Sequence, residues 1–291
     1  MTAPDPLAVI ADVRRACLAA DGHDPVDESV HLRLKNHGLT DTSSWVEDQG
    51  FALRHQHAMD LAVAPAARGR GLGGRLAALA TAAPGELTAW SHGDDPAARV
   101  IAERLGFVRD RELWVMRRPS AVPLPPAEPP PGVTIRAFGA DTDADALLAV
   151  NAAAFADHPE QGSMSASDLA ERMAEPWFDP AGLLLAIGPD GTLLGFHWTK
   201  QHDPHHGEVY VVGVSPDAHG GGLGRVLTVA GLRHLASRGV AEVHLYVESD
   251  NTAALGLYSG LGFDHAPTDT HVQYHRSSQG LQPSPESPSS R

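Results

Sequence analysis

One pattern of twenty residues occurs twice in this chain, and a duplication of that length leaves few architectures open. At a constant offset of 151 positions, HAMDLAVAPAARGRGLGGRL (57–76) lies over EVYVVGVSPDAHGGGLGRVL (208–227). Val63 aligns with Val214 and Pro65 with Pro216, while Gly69, Gly71, Leu72 and Gly73 align with Gly220, Gly222, Leu223 and Gly224. The tripeptide LGF recurs near the end of each half, at 105–107 and 261–263. Two copies of one fold are therefore expected in the 291 residues. Each copy is long enough to bury a core without a disulfide or a structural metal.

The composition marks where the copies divide. Residues 119–131 are rich in proline, which removes backbone donors and favours an extended path, so they read as a semi-rigid linker between domains at 1–118 and 132–276. After Arg276 the run SSQGLQPSPESPSSR is too polar to bury a core, and 277–291 reads as a disordered tail. In the second half GVTIRAF (132–138), LLLAIG (183–188), LLGFHWTK (193–200), EVYVVGV (208–214) and VHLYVES (243–249) read as strands, as does the region of HVQYHR (271–276). Helices are expected over 143–156, after the glycine loop, and from Asn251 to Tyr258. This order predicts an α+β fold, with two tandem domains that each fold a mixed, mostly antiparallel sheet flanked by helices.

Charge narrows the partners. Lys plus Arg number 22 against 36 acidic residues, a formal net charge of −14, which repels polyphosphate backbones and anionic lipid surfaces. No nucleic-acid or membrane partner is expected, and any anionic ligand must be held by local groups. The single cysteine, Cys17, cannot form an internal disulfide and reads as a small core residue of an amphipathic N-terminal helix. With no signal-like N-terminus and no long apolar run, a cytoplasmic monomer is expected.

A strand running into His219-Gly220-Gly221-Gly222-Leu223-Gly224 and then a helix leaves unpaired amides at the helix start, where glycines let phosphate oxygens approach. A plain strand-to-helix turn would also use glycine, but two copies flanked by the same Val-x-Pro argue for a ligand. A dinucleotide fingerprint fits Gly69, Gly71 and Gly74 but fails in the second copy, where Arg225 stands third, and no Walker Gly-Lys-Ser or Gly-Lys-Thr occurs.

The loops Arg68-Gly69-Arg70-Gly71-Leu72-Gly73 and His219 to Gly224 resemble the signature of the GNAT superfamily of N-acetyltransferases, with His219 departing from the usual Gln or Arg. LYVESDNTAALGLYSGLGF (245–263) is similar to that superfamily's second hallmark. With HPEQG (158–162), EPWFDPAG (175–182), GFHWTK (195–200) and GEVYVVGVSP (207–216), the chain resembles the tandem mycothiol synthase family. The resemblance covers nearly all of the second half and, through DGHDPVDES (21–29), part of the first.

The resemblance implies acetyl-CoA as co-substrate and, as acceptor, the cysteinyl amine of a cysteinyl-glucosaminyl-inositol, a small amino-sugar thiol. It implies that backbone at Val212, Gly213 and Val214, the loop from His219 to Arg225, and Asn251 hold the carrier, with Leu61, Ala62, Val63 and Arg68 to Gly73 as counterparts in the first half. Arg70, Arg75 and Arg225 are candidates to neutralise its phosphates. Acetyl transfer to an amine needs a base for a group titrating near 8 and a proton for the leaving thiolate. Glu208 is the expected base and also touches the acceptor. Tyr258 or Tyr274 is the expected acid, with Tyr258 also near the acceptor. Glu28, Glu160 and Lys200 match positions implied to hold the polar substrate.

Opposite Glu208 the first half has His57, and counting back from LGF puts Ala102 opposite Tyr258, so catalysis is expected only in the second half. Two other readings stay open at this point: an acetyltransferase for another small amine or a protein N-terminus, and a CoA-binding pseudoenzyme. His202, Asp203, His205 and His206 can be drawn as metal ligands, but acetyl transfer needs no metal and none is expected.

Overall fold

A computed structural model describes residues 4–156 and 161–278, so Glu160 and the expected tail from 279 lie outside the described residues. Two compact units result: residues up to Leu113 together with those from Thr270 form the first, and Trp114–Asp269 form the second. This division differs from the one drawn at the linker. The last strand of each half runs through the switch point, and a repeat in sequence does not say where a terminal strand finds its hydrogen-bond partner.

The first unit opens with helices α1 (Pro6–Asp21) and α2 (Glu28–His37), whose first turns are capped by the Asp5 and Asp27 side chains. Strands β1 (Ser43–Glu47), β2 (Gly50–His55) and β3 (Ala58–Val63) form an antiparallel meander. Helix α3 (Leu72–Ala80) and strand β4 (Leu87–Ser91) follow, then α4 (Pro96–Arg104) and β5 (Val108–Pro119). One core layer under α1 and α2 gathers Ile10, Val13, Cys17, Phe51 and Leu53, which places the lone cysteine in the interior as its helix pattern predicts.

The second unit continues with β6 (Thr134–Ala137), α5 (Ala140–Ala154), α6 (Ala166–Met173), β7 (Leu183–Ile187) and β8 (Leu193–Gln201). Then come β9 (His206–Val214), α7 (Leu223–Ser237), β10 (Glu242–Glu248), α8 (Thr252–Ser259) and β11 (Asp264–Arg276). Strands β6 to β9 are antiparallel neighbours in sequence order, and β10 joins β9 in parallel, as a crossover through α7 requires. The expected strands and helices of this half all occur. Helix α6, begun by a capping box between Ser165 and Asp168, is an addition that the sequence reading passed over.

The mixed α+β order is thus realised in both units, with apolar sheet faces covered by helices. On one face Phe196 and Trp198 pack with Leu147 and Leu169 of α5 and α6. On the other, Val229, Leu232 and Leu235 of α7 meet Val209 and Val243, each burial contributing about 1.5–3 kcal/mol.

Strand and helix approach closely where His197 is fully buried and its Nδ1 donates to the Leu227 carbonyl at 2.8 Å. A Cβ on Gly231 would lie 2.1 Å from that ring, so only glycine fits. Burial depresses the His197 pKa to about 4. The folded state therefore binds fewer protons than the unfolded one between the ordinary histidine value, about 6.5, and about 4. Its stabilising effect is complete above the upper limit and is lost as pH falls through that window, by about 3 kcal/mol at the lower end. Urea titrations should show stability falling from pH 7 to pH 4.5, and Gly231→Ala should cost at least about 1–3 kcal/mol at pH 7 by overpacking.

Candidate functional site

Strands β9 and β10 pair through three rungs only, Glu242 with His206, Val243 with Gly207 and His244 with Glu208. Beyond Glu208 they part. On its other edge β9 stays paired with β8, where Val212, Gly213 and Val214 face His197, Phe196 and Gly195. A register shift between Trp198 and Thr199 leaves Tyr210 as the extra residue of a bulge. The result is a fork whose open edge offers main-chain donors at the expected positions 212 to 214. Gly213 is also fixed by packing, since a Cβ there would meet Phe196 at 2.7 Å.

Glu208 sits at the last rung of the fork and is buried. Its Oε2 lies 2.7 Å from His202 Nε2 and 3.8 Å from His244 Nε2. Burial alone would push the carboxyl up, but the His202 hydrogen bond, helped by the nearby Lys200 ammonium, holds it below the ordinary value. It is a carboxylate at neutral pH. Burial lowers His244 to about 4, so that ring is neutral there. Lys200, across the ladder from Glu208, has its ammonium 4.6 Å from the Trp177 ring and 5.3 Å from that of Tyr210.

The glycine loop follows β9. Gly220 and Gly222 have φ of +85° and +72°, and Gly69 and Gly71 in the first unit have +75° and +81°. A Cβ at any of the four would meet nothing within 4 Å, so glycine is required by the left-handed backbone and not by crowding. Helices α3 and α7 then start on Gly71 and Gly222 without a side-chain cap, as α5 does on Gly139, whereas α1, α2, α4, α6 and α8 are capped by Asp, Ser or Asn. First-turn amides of α3 and α7 thus have no capping side chain. Arg225, half-buried in the first turn of α7, has no ion pair among the described residues.

The departure at His219 has a structural account. Its Nε2 reaches back to the Val214 carbonyl at 3.2 Å, and in the first unit Arg68 Nε donates to the Val63 carbonyl at 3.1 Å. Both side chains brace the loop onto the strand it leaves. Arg68 is further held by Asp21, and Arg75 pairs with Glu47 at 3.0 Å, which leaves Arg70 exposed on the loop. Leu61, Ala62 and Val63 pair with β2, while β3 meets β4 at a single rung, Ala58 with Thr88, so the fork recurs.

Other expected residues are distributed as follows. Tyr258 lies on α8 against Phe263, its ring centroid 5.8 Å away, and burial pushes its phenol up to about 12. Tyr274 lies in the part of β11 that belongs to the first unit, opposite Ala89, in a core with Leu76, Leu87 and Phe107. Asn251 caps α8 by accepting from Ala254 N at 3.1 Å. Glu28 opens α2 of the first unit, half-buried. At the first unit's fork His57 is exposed, and Ala102 is buried in α4.

Sequence reasoning missed His202 and His244 as partners of Glu208. His202 was grouped with its loop neighbours, and His244 stands two positions into a strand whose pairing register alone brings it beside Glu208. Replacing His219 with Ala should speed amide hydrogen exchange across Gly220 to Gly224, and His219→Arg should restore protection, because Arg68 makes the same brace.

The model of the acetyltransferase (GNAT) family matches residues 148–263. A protein of a Nocardioides species named mycothiol acetyltransferase is 58% identical, over 94% of this chain and 99% of its own length. One of the same name from Salinispora arenicola is 48% identical, over 94% of each chain. Among solved structures, a GCN5-related N-acetyltransferase from Sphaerobacter thermophilus superposes with a TM-score of 0.68 at 23% identity, covering 96% of both chains. A tandem GNAT protein from the clavulanic acid biosynthesis pathway gives 0.66 at 17%, covering 95% of this chain and 96% of its own. These two show the fold, and the identity to the curated relatives settles the family: the chain belongs to the mycothiol acetyltransferases, built as a tandem GNAT protein.

Proposed function

We propose that the second unit transfers the acetyl group of acetyl-CoA to the cysteinyl amine of a cysteinyl-glucosaminyl-inositol, giving mycothiol. The observation that carries this reading is a buried carboxylate at the mouth of a strand fork that opens beside an uncapped glycine loop. The name of the relatives at 48–58% identity supports the same acceptor.

The carrier's diphosphate would lie against the first-turn amides of α7, with Arg225 adding a charge. Its pantetheine arm would run along the open edge of β9 and present the thioester to the fork. An amine near pKa 8 is largely protonated at neutral pH, and Glu208 removes the proton directly or through one water. The freed lone pair attacks the thioester carbon, a main-chain amide within 212–214 donates to the oxyanion, and collapse breaks the carbon–sulfur bond. Tyr258, held fully protonated by its burial, gives its proton to the departing thiolate, and the second proton shed by the acylated nitrogen restores the phenol. Lys200, with its ammonium against the rings of Trp177 and Tyr210, and Glu28 and Glu160 are assigned to the polar acceptor. The first unit keeps the loop geometry without these proton-handling groups, which supports a structural or carrier-binding role for it.

With the cysteinylated amino-sugar and acetyl-CoA, Glu208→Gln should lower kcat by about 10²–10⁴ while leaving CoA affinity unchanged by calorimetry. His57→Ala should leave turnover intact. Retained activity in Glu208→Gln would place the base elsewhere. Tyr258→Phe should lower kcat without raising KM, and Tyr274→Phe should change stability more than rate, as the pair of steady-state assays and urea melts would show.

A further inference from the structure

We propose that His202, Glu208 and His244 form a binding site for a borderline-soft divalent cation, Zn²⁺ above all, and that its occupation silences acetyl transfer. The ligand atoms of the three residues lie within 4.8 Å of one another, and each brings one donor of the kind zinc takes. Two contacts define the cluster, Glu208 Oε2 to His202 Nε2 at 2.7 Å and to His244 Nε2 at 3.8 Å. The two rings stand 5.1 Å apart, tilted by 31°.

Three features make this a built site. Glu208 and His244 are fixed on adjacent strands by the last rung of the β9–β10 ladder, so two of the three ligands come from rigid backbone. His202 comes from the turn between β8 and β9, where its backbone N–H donates to the His206 carbonyl at 2.9 Å. Exposure of the side chains grades from 8% at Glu208 through 14% at His244 to 37% at His202, so an ion has a path in from solvent. Two imidazoles and one carboxylate leave a coordination position open for a water or another ligand.

The donor set argues against Mg²⁺ or Ca²⁺, which prefer all-oxygen shells, and the nearby Lys200 ammonium tempers affinity. A metal ion bound to Glu208 would occupy the lone pair that the proposed reaction uses to take a proton. This functional half rests on the reading of Glu208 as base; the binding half does not.

The test uses the full-length protein freed of metal and titrated with Zn²⁺ against a chromophoric chelator in thiol-free buffer, with Co²⁺ absorption reporting the coordination. One site should bind, and His202→Ala and His244→Ala should each weaken it by about tenfold or more, whereas His205→Ala on the same turn should not. Thermal melts with and without Zn²⁺ give a second readout, because the His202 variant lies on an exposed turn and should fold. Absence of a micromolar site, or affinity unchanged in both variants, overturns the proposal. With free zinc held by a nitrilotriacetate buffer, wild-type acetylation should fall as this site fills and return on chelation. Full activity with the site filled overturns the silencing. Turnover of Glu208→Gln without metal separately decides whether that carboxylate is the base.

Discussion

Everything at the second unit's site follows from the early end of one parallel ladder. Three rungs hold β9 to β10, and the fourth is missing because the bulge at Tyr210 turns β9 away. Had the pairing continued, the main chain at 212–214 would be consumed by the sheet and Glu208 would sit in an ordinary strand interior. The early stop leaves an open edge, a carboxylate at its mouth, and a strand end that must turn sharply into a helix. That turn is the glycine loop, and its two left-handed residues free the first amides of α7.

The cost of the arrangement is a buried negative charge, and the structure offsets it locally. An unpaired carboxylate in this position would rise in pKa and neutralise itself. His202, at hydrogen-bond distance, prevents this by favouring the charged form, while the neutral His244 fills the remaining space without adding a competing charge at pH 7. A carboxylate kept ionised in this way remains available to accept a hydrogen bond or a proton from a group brought to it.

The two copies show which parts of the design are backbone and which are side chain. Fork, glycine angles, missing helix cap and loop brace recur in both, the brace even through different side chains, Arg68 and His219. The glycine loops and the strands that lead into them were legible in the sequence because glycine spacing and strand patterning are local, whereas the brace was not, since it is a contact back onto the strand. Glu208 drew attention for a different reason: it is a carboxylate at the start of the central strand, where the other copy has His57. The partners of Glu208 were not legible, since the register of β9 against β10, and not any spacing along the chain, brings His244 within reach. The allotment of β11's end to the first unit was hidden likewise, because alternation marks a strand without naming its neighbour. Helix α6 escaped notice because its eight residues carry few apolar side chains and its capping box is its main signal.

Two copies of a fold can differ in their polar side chains and keep one shape, because the shape is written in glycines and apolar faces. In the first unit the position matching Glu208 lies exposed as His57 and the one matching Tyr258 is a buried alanine, yet the loop keeps its left-handed turns and the sheet keeps its fork. Nothing in the packing of that unit requires a proton-transfer group. The reverse does not hold in the second unit. Removing Glu208 there would strand His202 and His244 around an empty polar space, so this carboxylate and the local packing are bound together in the second unit.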